Sequence, residues 1–216
     1  MIVSNTVLRE THTIRIAVTL TLFAILGSGL VTFTYQITAH HIAANERATL
    51  LRTLNALISQ DRYDNDLFND FIFVHNENLL GTTQPVILYR ARQTGHPVAA
   101  LLTPIAPDGY NGAIRLLVGI NYDGTLLGVR VISHQETPGL GDYIEIRRSN
   151  WILAFKGRSL TNPNESGWRV KRDGGVFDQM TGATITPRAV VKAVHKALLF
   201  YQQQRQALFN QPKSAS

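Results

Sequence analysis

Asp178-Gln-Met-Thr-Gly-Ala-Thr-Ile-Thr-Pro-Arg188 decides how the rest of this chain is read. Three threonines, Thr181, Thr184 and Thr186, surround the pair Gly182-Ala183, and Pro187 follows the last of them. Beyond the proline, Val190, Val191, Val194, Leu198 and Leu199 recur at helical spacing, which predicts a helix from about 187 to 208. Thr186 then reads as the N-cap and Pro187 as the first helical residue. A helix opening of this kind is also an anion site. Its first backbone N–H groups have no intrahelical acceptor and carry the positive end of the helix dipole. Taken alone, the stretch is open to both readings, a plain cap and an anion site.

Upstream lies a run of strands. Pro85–Tyr89, Val98–Leu102, Ile114–Ile120 and Leu126–Ile132 are short apolar segments separated by turn chemistry. Thr94-Gly-His-Pro, Pro107-Asp-Gly-Tyr-Asn-Gly112 and Asn121-Tyr-Asp-Gly124 supply the turns, the last of them between two strands as in a hairpin. Residues 142–156 read as helical, with Ile144, Ile146, Trp151, Ile152 and Phe155 on the buried face, and Trp168–Arg172 reads as a further strand ending before Gly174-Gly175. Strands followed by helices packed on them give an α+β domain built on an antiparallel sheet.

The N-terminal part differs in kind. Ile16 to Tyr35 is a run of 20 residues without a formal charge. As a helix it would extend roughly 30 Å, the hydrocarbon thickness of a bilayer. It is long for a cleaved signal peptide, and Thr38-Ala39 is a poor cleavage site. The expectation is a single transmembrane helix at 16–36 after a cytoplasmic tail at 1–15. Arg15 abuts the span and Arg47 stands well beyond it, which places the remainder outside. Residues 37–80 then form a stalk helix and a loop. Leu50, Leu51, Leu54, Leu57 and Ile58 mark the apolar face of the stalk, and Asp61, Asp64, Asp66 and Asp70 lack the glycine and closing glutamate of a calcium loop, so they read as a solvated loop. Residues 81–216 are the α+β domain.

Composition narrows the chemistry. There is no cysteine, which excludes disulfides, thiolate-bound iron–sulfur clusters, zinc ribbons and thiol nucleophiles. The net charge is +6, but the 21 basic residues are spread out, so no nucleic-acid tail is expected. No H-E-x-x-H, no G-x-S-x-G, no phosphate loop of the G-x-x-x-x-G-K type and no dinucleotide fingerprint appears, and no metal site or acid–base dyad is expected. One more stretch stands out: Ser133-His-Gln-Glu-Thr-Pro-Gly-Leu-Gly-Asp142, which directly follows a strand end. Its glycines and proline fix a tight loop, which reads either as an ordinary rigid loop or as one that lets backbone approach a flat ligand, with Glu136 and Thr137 as polar groups.

Ala106–Gly119, His134–Asp142 and Asp173–Arg188 occur in this order, and together with the N-terminal span they make the chain similar to the G subunit of the Rnf/Rsx electron transport complex, a membrane-bound ion-translocating oxidoreductase. The related C subunit of the sodium-translocating NADH:quinone reductase shares the last motif and is usually longer. The resemblance implies an FMN-binding domain with covalent FMN, joined by a phosphoester to the last hydroxyl of Asp-x-x-[Ser/Thr]-Gly-Ala-Thr-x-[Ser/Thr]. That hydroxyl is Thr186; Asp178, Thr181, Gly182, Ala183 and Thr184 fill the other positions. The loop of Glu136, Thr137, Leu140 and Gly141 is expected to line the flavin ring, with Lys171 near it to favour the reduced anion. The implied partners are the lipid bilayer, the other membrane subunits and a flavin transferase that makes the bond. The implied location is the bacterial inner membrane with the flavin domain periplasmic. The rival readings are a non-redox membrane-anchored binding module, in which Thr186 is only a cap, and a flavin reductase acting on soluble substrates.

Overall fold

The computed structural model describes residue 15, residues 19–33, residue 35, residues 51–179 and residues 182–214. The chain divides into two units, residues 1–50 and residues 51–216.

In the first unit residues 19–33 are helical. Leu20, Leu22, Phe23, Ile25, Leu26, Leu30, Val31 and Phe33 are all exposed. Two threonine hydroxyls turn back on the helix: Thr19 donates to the Arg15 carbonyl and Thr32 to the Ser28 carbonyl, both at 2.8 Å. No helix among the described residues is long and apolar enough to cross a membrane. Part of the expected span (16–18, 34 and 36), the expected tail at 1–14 and most of the stalk at 37–50 lie outside the described residues.

The second unit is built on a six-stranded antiparallel sheet: β1 (Phe71–Val74), β2 (Val86–Gln93), β3 (His96–Leu102), β4 (Ile105–Ala106), β5 (Ile114–Asn121) and β6 (Leu126–Ser133). The spatial order is β1-β2-β3-β5-β4, with β6 on the other side of β5. The expected hairpin forms. The Asn121 N–H donates to the Thr125 carbonyl, and the Asp123 carboxylate takes both the N–H and the hydroxyl of Thr125. Alternation along β5 sorts its side chains between two faces. Ile114, Leu116, Val118 and Ile120 join a core with the long C-terminal helix, Ile185–Asn210. On the opposite face Gly119 leaves room for Leu57, which with buried Ile58 lies just beyond a helical stretch at residues 51–55 that contains buried Leu54. Between β1 and β2 sits a one-turn helix, Glu77–Leu80, capped by Asn76, whose side chain accepts the Leu79 N–H.

Four expectations change. The last helix begins at Ile185 and ends at Asn210, with Thr184 at the N-cap position and Thr186 inside the first turn. Pro187 fits because N–H groups of the first turn have no intrahelical acceptor. Leu199 is only half-buried, and Ala197, Phe200 and Tyr201 fill the core instead. Residues 142–156 are not one helix but two 3-10 turns, Gly141–Ile144 and Trp151–Phe155. Ser149 breaks the segment: its hydroxyl donates to the Tyr143 carbonyl and accepts the Trp151 N–H, an alternative to helical bonding. Ile146 is consequently exposed.

Trp168–Arg172 is not a strand of the sheet. Trp168–Val170 lies between the 3-10 turns Glu165–Gly167 and Lys171–Asp173, the second of which takes in Lys171 and Arg172, and Val170 makes an isolated parallel bridge to Phe177. The apolar alternation there serves an aromatic cluster: Phe155 stacks on Phe177 with centroids 4.6 Å apart, and Trp168 stacks on His195 at 5.3 Å. Finally, the acidic run is not wholly solvated. Asp70 meets the buried Arg90 at 2.5 Å and Arg92 at 3.0 Å. The same two arginines reach across to the helix end, where Arg90 donates to the carbonyls of Leu208 and Gln211 and Arg92 to that of Phe209. Beyond the helix the Ser214 N–H bonds the Phe71 carbonyl on β1.

Candidate functional site

The two unusual stretches meet. Thr186 and Glu136 are 50 positions apart, and the Thr186 hydroxyl donates to Glu136 Oε2. Both are buried, at 1% and 4% relative exposure. A buried carboxylate with a poor set of partners would be costly, so the remaining contacts matter. Glu136 Oε1 accepts the Asn111 N–H at 3.0 Å, and the Glu136 N–H donates to His134 Nδ1 at 3.0 Å. With Nδ1 accepting, Nε2 carries the proton that bridges to Glu145 Oε1 at 2.8 Å. That contact from His134, opposed by burial and aided by the charge of Arg147, holds the Glu145 carboxyl below its ordinary range.

The loop that carries Glu136 turns at Gly139, whose φ of 78° is left-handed and whose N–H is taken by Asp142 Oδ1. The Leu140 and Gly141 N–H groups both return to the Thr137 carbonyl, and the Thr137 hydroxyl accepts from the Asn111 amide. At Gly141 a side chain has no room. A Cβ there would stand 2.7 Å from Glu136 Cβ, 2.8 Å from its Oε2 and 3.2 Å from Thr186 Oγ1. Leu140 is exposed and lies beside Gly182, 3.8 Å from where a Cβ would be built. Gly182 itself has φ of 83°, a conformation the turn into the helix demands.

The rest of the motif is braced from outside. The Trp151 indole N–H donates to the Asp178 carbonyl at 2.7 Å, and the Asp178 carboxylate pairs with Lys171 at 2.5 Å on the surface. Lys171 therefore stands at the motif's edge with its charge matched by Asp178. Arg188, one residue past Pro187, forms a two-pronged pair with Asp173 at 2.6 Å on each arm. That pair lowers the Asp173 pKa and raises that of Arg188. Thr184, at the N-cap position, makes no side-chain cap bond, and Ala183 is half-buried beside it. Thr181 lies outside the described residues.

So the fold gathers Glu136, Gly141 and Thr186 at one point, sets Leu140 against Gly182, and places Lys171 on Asp178. Thr137 turns instead toward Asn111. Reading the sequence missed Asn111, His134 and Trp151 as parts of this site. Asn111 belongs to the Ala106–Gly119 stretch, one of the three that carry the resemblance, but its bond to Glu136 is visible only in the structure. Among the described residues no group of three or more His, Cys, Asp or Glu is placed to hold a metal ion.

A hydroxyl in the first turn of a helix would suit the phosphate of a flavin mononucleotide. A hydroxyl sits in the first turn of a 26-residue helix, flanked by a close-approach glycine loop with an exposed leucine. Comparison with known proteins gives the same class: residues 109–199 match the FMN-binding domain family, and residues 1–57 match the family described as the RnfG N-terminal region. Curated relatives that bear the name of the G subunit of an ion-translocating oxidoreductase complex match over most of the chain. The protein from Vibrio cholerae strain O395 is 51% identical over 89% of this chain and 92% of its own length. Those from Pseudoalteromonas atlantica and Shewanella amazonensis are 49% and 46% identical, each over 88% of this chain and covering 89% and 88% of their own lengths. The chain belongs to the family of G subunits of ion-translocating oxidoreductase complexes.

Proposed function

We infer that this chain is the flavin-carrying electron-transfer subunit of a membrane-bound ion-translocating oxidoreductase, and that it holds FMN covalently by a phosphoester to Thr186. The observation that carries the reading is the Thr186 hydroxyl, which lies within the FMN-binding match and is singled out from Thr184 by its contact with Glu136. A phosphodiester at this position keeps one negative charge at a helix N-terminus, an arrangement worth about 0.3–2 kcal/mol. Glu136, Thr137, Leu140, Gly141, Asp178, Thr181, Gly182, Ala183 and Thr184 would surround the flavin, and Lys171 would add a cation at the edge. The bound flavin supplies the redox chemistry; the protein binds, positions and tunes it.

The same reading takes residues 16–36 as a single membrane span, with 81–216 on the periplasmic side of the inner membrane. Its support is the ring of exposed apolar side chains at 20–33 and the back-bonded hydroxyls of Thr19 and Thr32, which spare a lipid environment two unpaired donors. The partners are the other membrane subunits and a flavin transferase.

The test is attachment. Co-expressed with a flavin transferase, the wild-type chain should give a fluorescent band on a denaturing gel and a mass gain of FMN less water. Thr186→Val should abolish both, and Thr184→Val should keep both. A dark wild-type band, or a labelled Thr186→Val, overturns the reading.

A further inference from the structure

Resting on that attachment reading, we propose that Glu136 is the proton acceptor for the Thr186 hydroxyl when the flavin ester is made, a catalytic residue supplied by the acceptor protein itself. A threonine hydroxyl is a weak nucleophile and needs a base within hydrogen-bond reach. Glu136 Oε2 already receives the Oγ1 proton. Its other oxygen is tied to the Asn111 N–H, and its backbone N–H to His134 at the end of β6. These anchors aim the carboxylate at Thr186 independently of the Pro138–Gly141 turn, so that turn can move aside while the base stays. Such movement is required, because Thr186 is 1% exposed and Gly141 lies directly over its oxygen.

Free FMN would have to expel oxide or water from its phosphate, so the donor must be an activated flavin pyrophosphate, a flavin dinucleotide held by the transferase. Thr186 Oγ1 attacks the flavin-side phosphorus and forms the O–P bond. The pyrophosphate P–O bond breaks, and the nucleoside monophosphate leaves with that electron pair. The Oγ1 proton passes to Glu136 Oε2. No electron is gained or lost overall. The protonated Glu136 is then a hydrogen-bond donor facing the new phosphodiester, where an ionised carboxylate would repel it.

The ionisable groups on the elements around Glu136 are engaged with other partners. His134 bonds Glu145, Asp142 pairs with Arg148, Arg188 pairs with Asp173, Asp108 pairs with Lys192 and Lys171 pairs with Asp178. Glu136 is thus the carboxylate in direct hydrogen-bond contact with the Thr186 hydroxyl.

The experiment follows flavin attachment to purified apo chain by transferase, magnesium and flavin adenine dinucleotide, read by intact mass and in-gel fluorescence from pH 5 to pH 9. Glu136→Gln should slow labelling by about 100-fold or more near neutrality, at the lower end of what a positioned base contributes. The loss should shrink as pH rises and hydroxide takes over. A folded Glu136→Gln that labels at the wild-type rate with the wild-type pH profile overturns the proposal. Wild type must still label only at Thr186; if it does not, the attachment reading fails first and separately. Should Glu136→Gln fail to fold, Glu136→Asp carries the test. Slower labelling whose deficit shrinks as pH rises supports the assignment, and labelling at the wild-type rate overturns it.

Discussion

Gly141 is the residue on which the site geometry turns. Its backbone lies so close to Glu136 and Thr186 that a methyl group would fall 2.7 Å from one side chain and 3.2 Å from the other. Neither neighbour is the free end of a flexible surface chain, since both are buried. Gly141→Ala should therefore push the loop outward and break the Glu136–Thr186 bond. The expected outcome is a loss of about 1–3 kcal/mol of stability, the range for overpacking, together with flavin labelling at least about tenfold slower. Chemical denaturation and the gel assay measure the two effects; unchanged values in both would refute this account of the glycine. At this scale sequence and structure part company instructively. Both loops announce themselves through their glycines, prolines and hydroxyls. That Glu136, rather than Thr184 or backbone, is what Thr186 touches depends on two segments 50 positions apart meeting in space, and no local pattern encodes that.

Among the secondary-structure elements, local chemistry was legible where it was sufficient. The Asn121–Gly124 hairpin and the long helix follow from turn residues and from 3.6-residue periodicity. The 3-10 segments at 141–155 and the bridge at Val170 were not, because their apolar spacing reflects burial in an aromatic cluster and not regular backbone bonding. Asp70 is another element-scale surprise: it neutralises Arg90, whose side chain is only 3% exposed and whose guanidinium joins β2 to the helix end. Asp70→Ala leaves a buried cation with carbonyl partners alone. That should cost about 3–5 kcal/mol and lower the melting temperature by about 10 °C. Asp61→Ala, on the same acidic run but exposed, should fall within about 0.5 kcal/mol of wild type. Thermal melts of the two variants side by side decide whether the run is one solvated loop or contains a structural charge.

For the molecule as a whole, acidification is the destabilising direction. His195 lies against Trp168, and burial pulls its pKa below the ordinary 6.5, with the Glu165 charge partly opposing. A depressed folded pKa favours the neutral ring, so this contribution is complete above about pH 6.5 and fades as pH falls through the folded value. Glu145, whose pKa is lowered first by the hydrogen bond from His134, adds a second loss on acidification, below its ordinary 4.5. The melting temperature should therefore drop from pH 7.5 to pH 5, and His195→Phe, which keeps an aromatic face for Trp168, should flatten that drop. An unaltered pH profile in His195→Phe would remove His195 from the explanation.

The arginine clamp has one more consequence, in the order of synthesis. Arg90 bonds to carbonyls 118 and 121 positions further along the chain, and the Ser214 amide seals β1 at Phe71. Early strands thus wait for residues made much later. As the chain emerges, β1 and β2 can pair, but Arg90 and Arg92 have no helix end to grip until residue 211 has left the ribosome. A sheet that forms early and closes late exposes its apolar face during that interval, so chaperone protection is most needed before the final helix is complete.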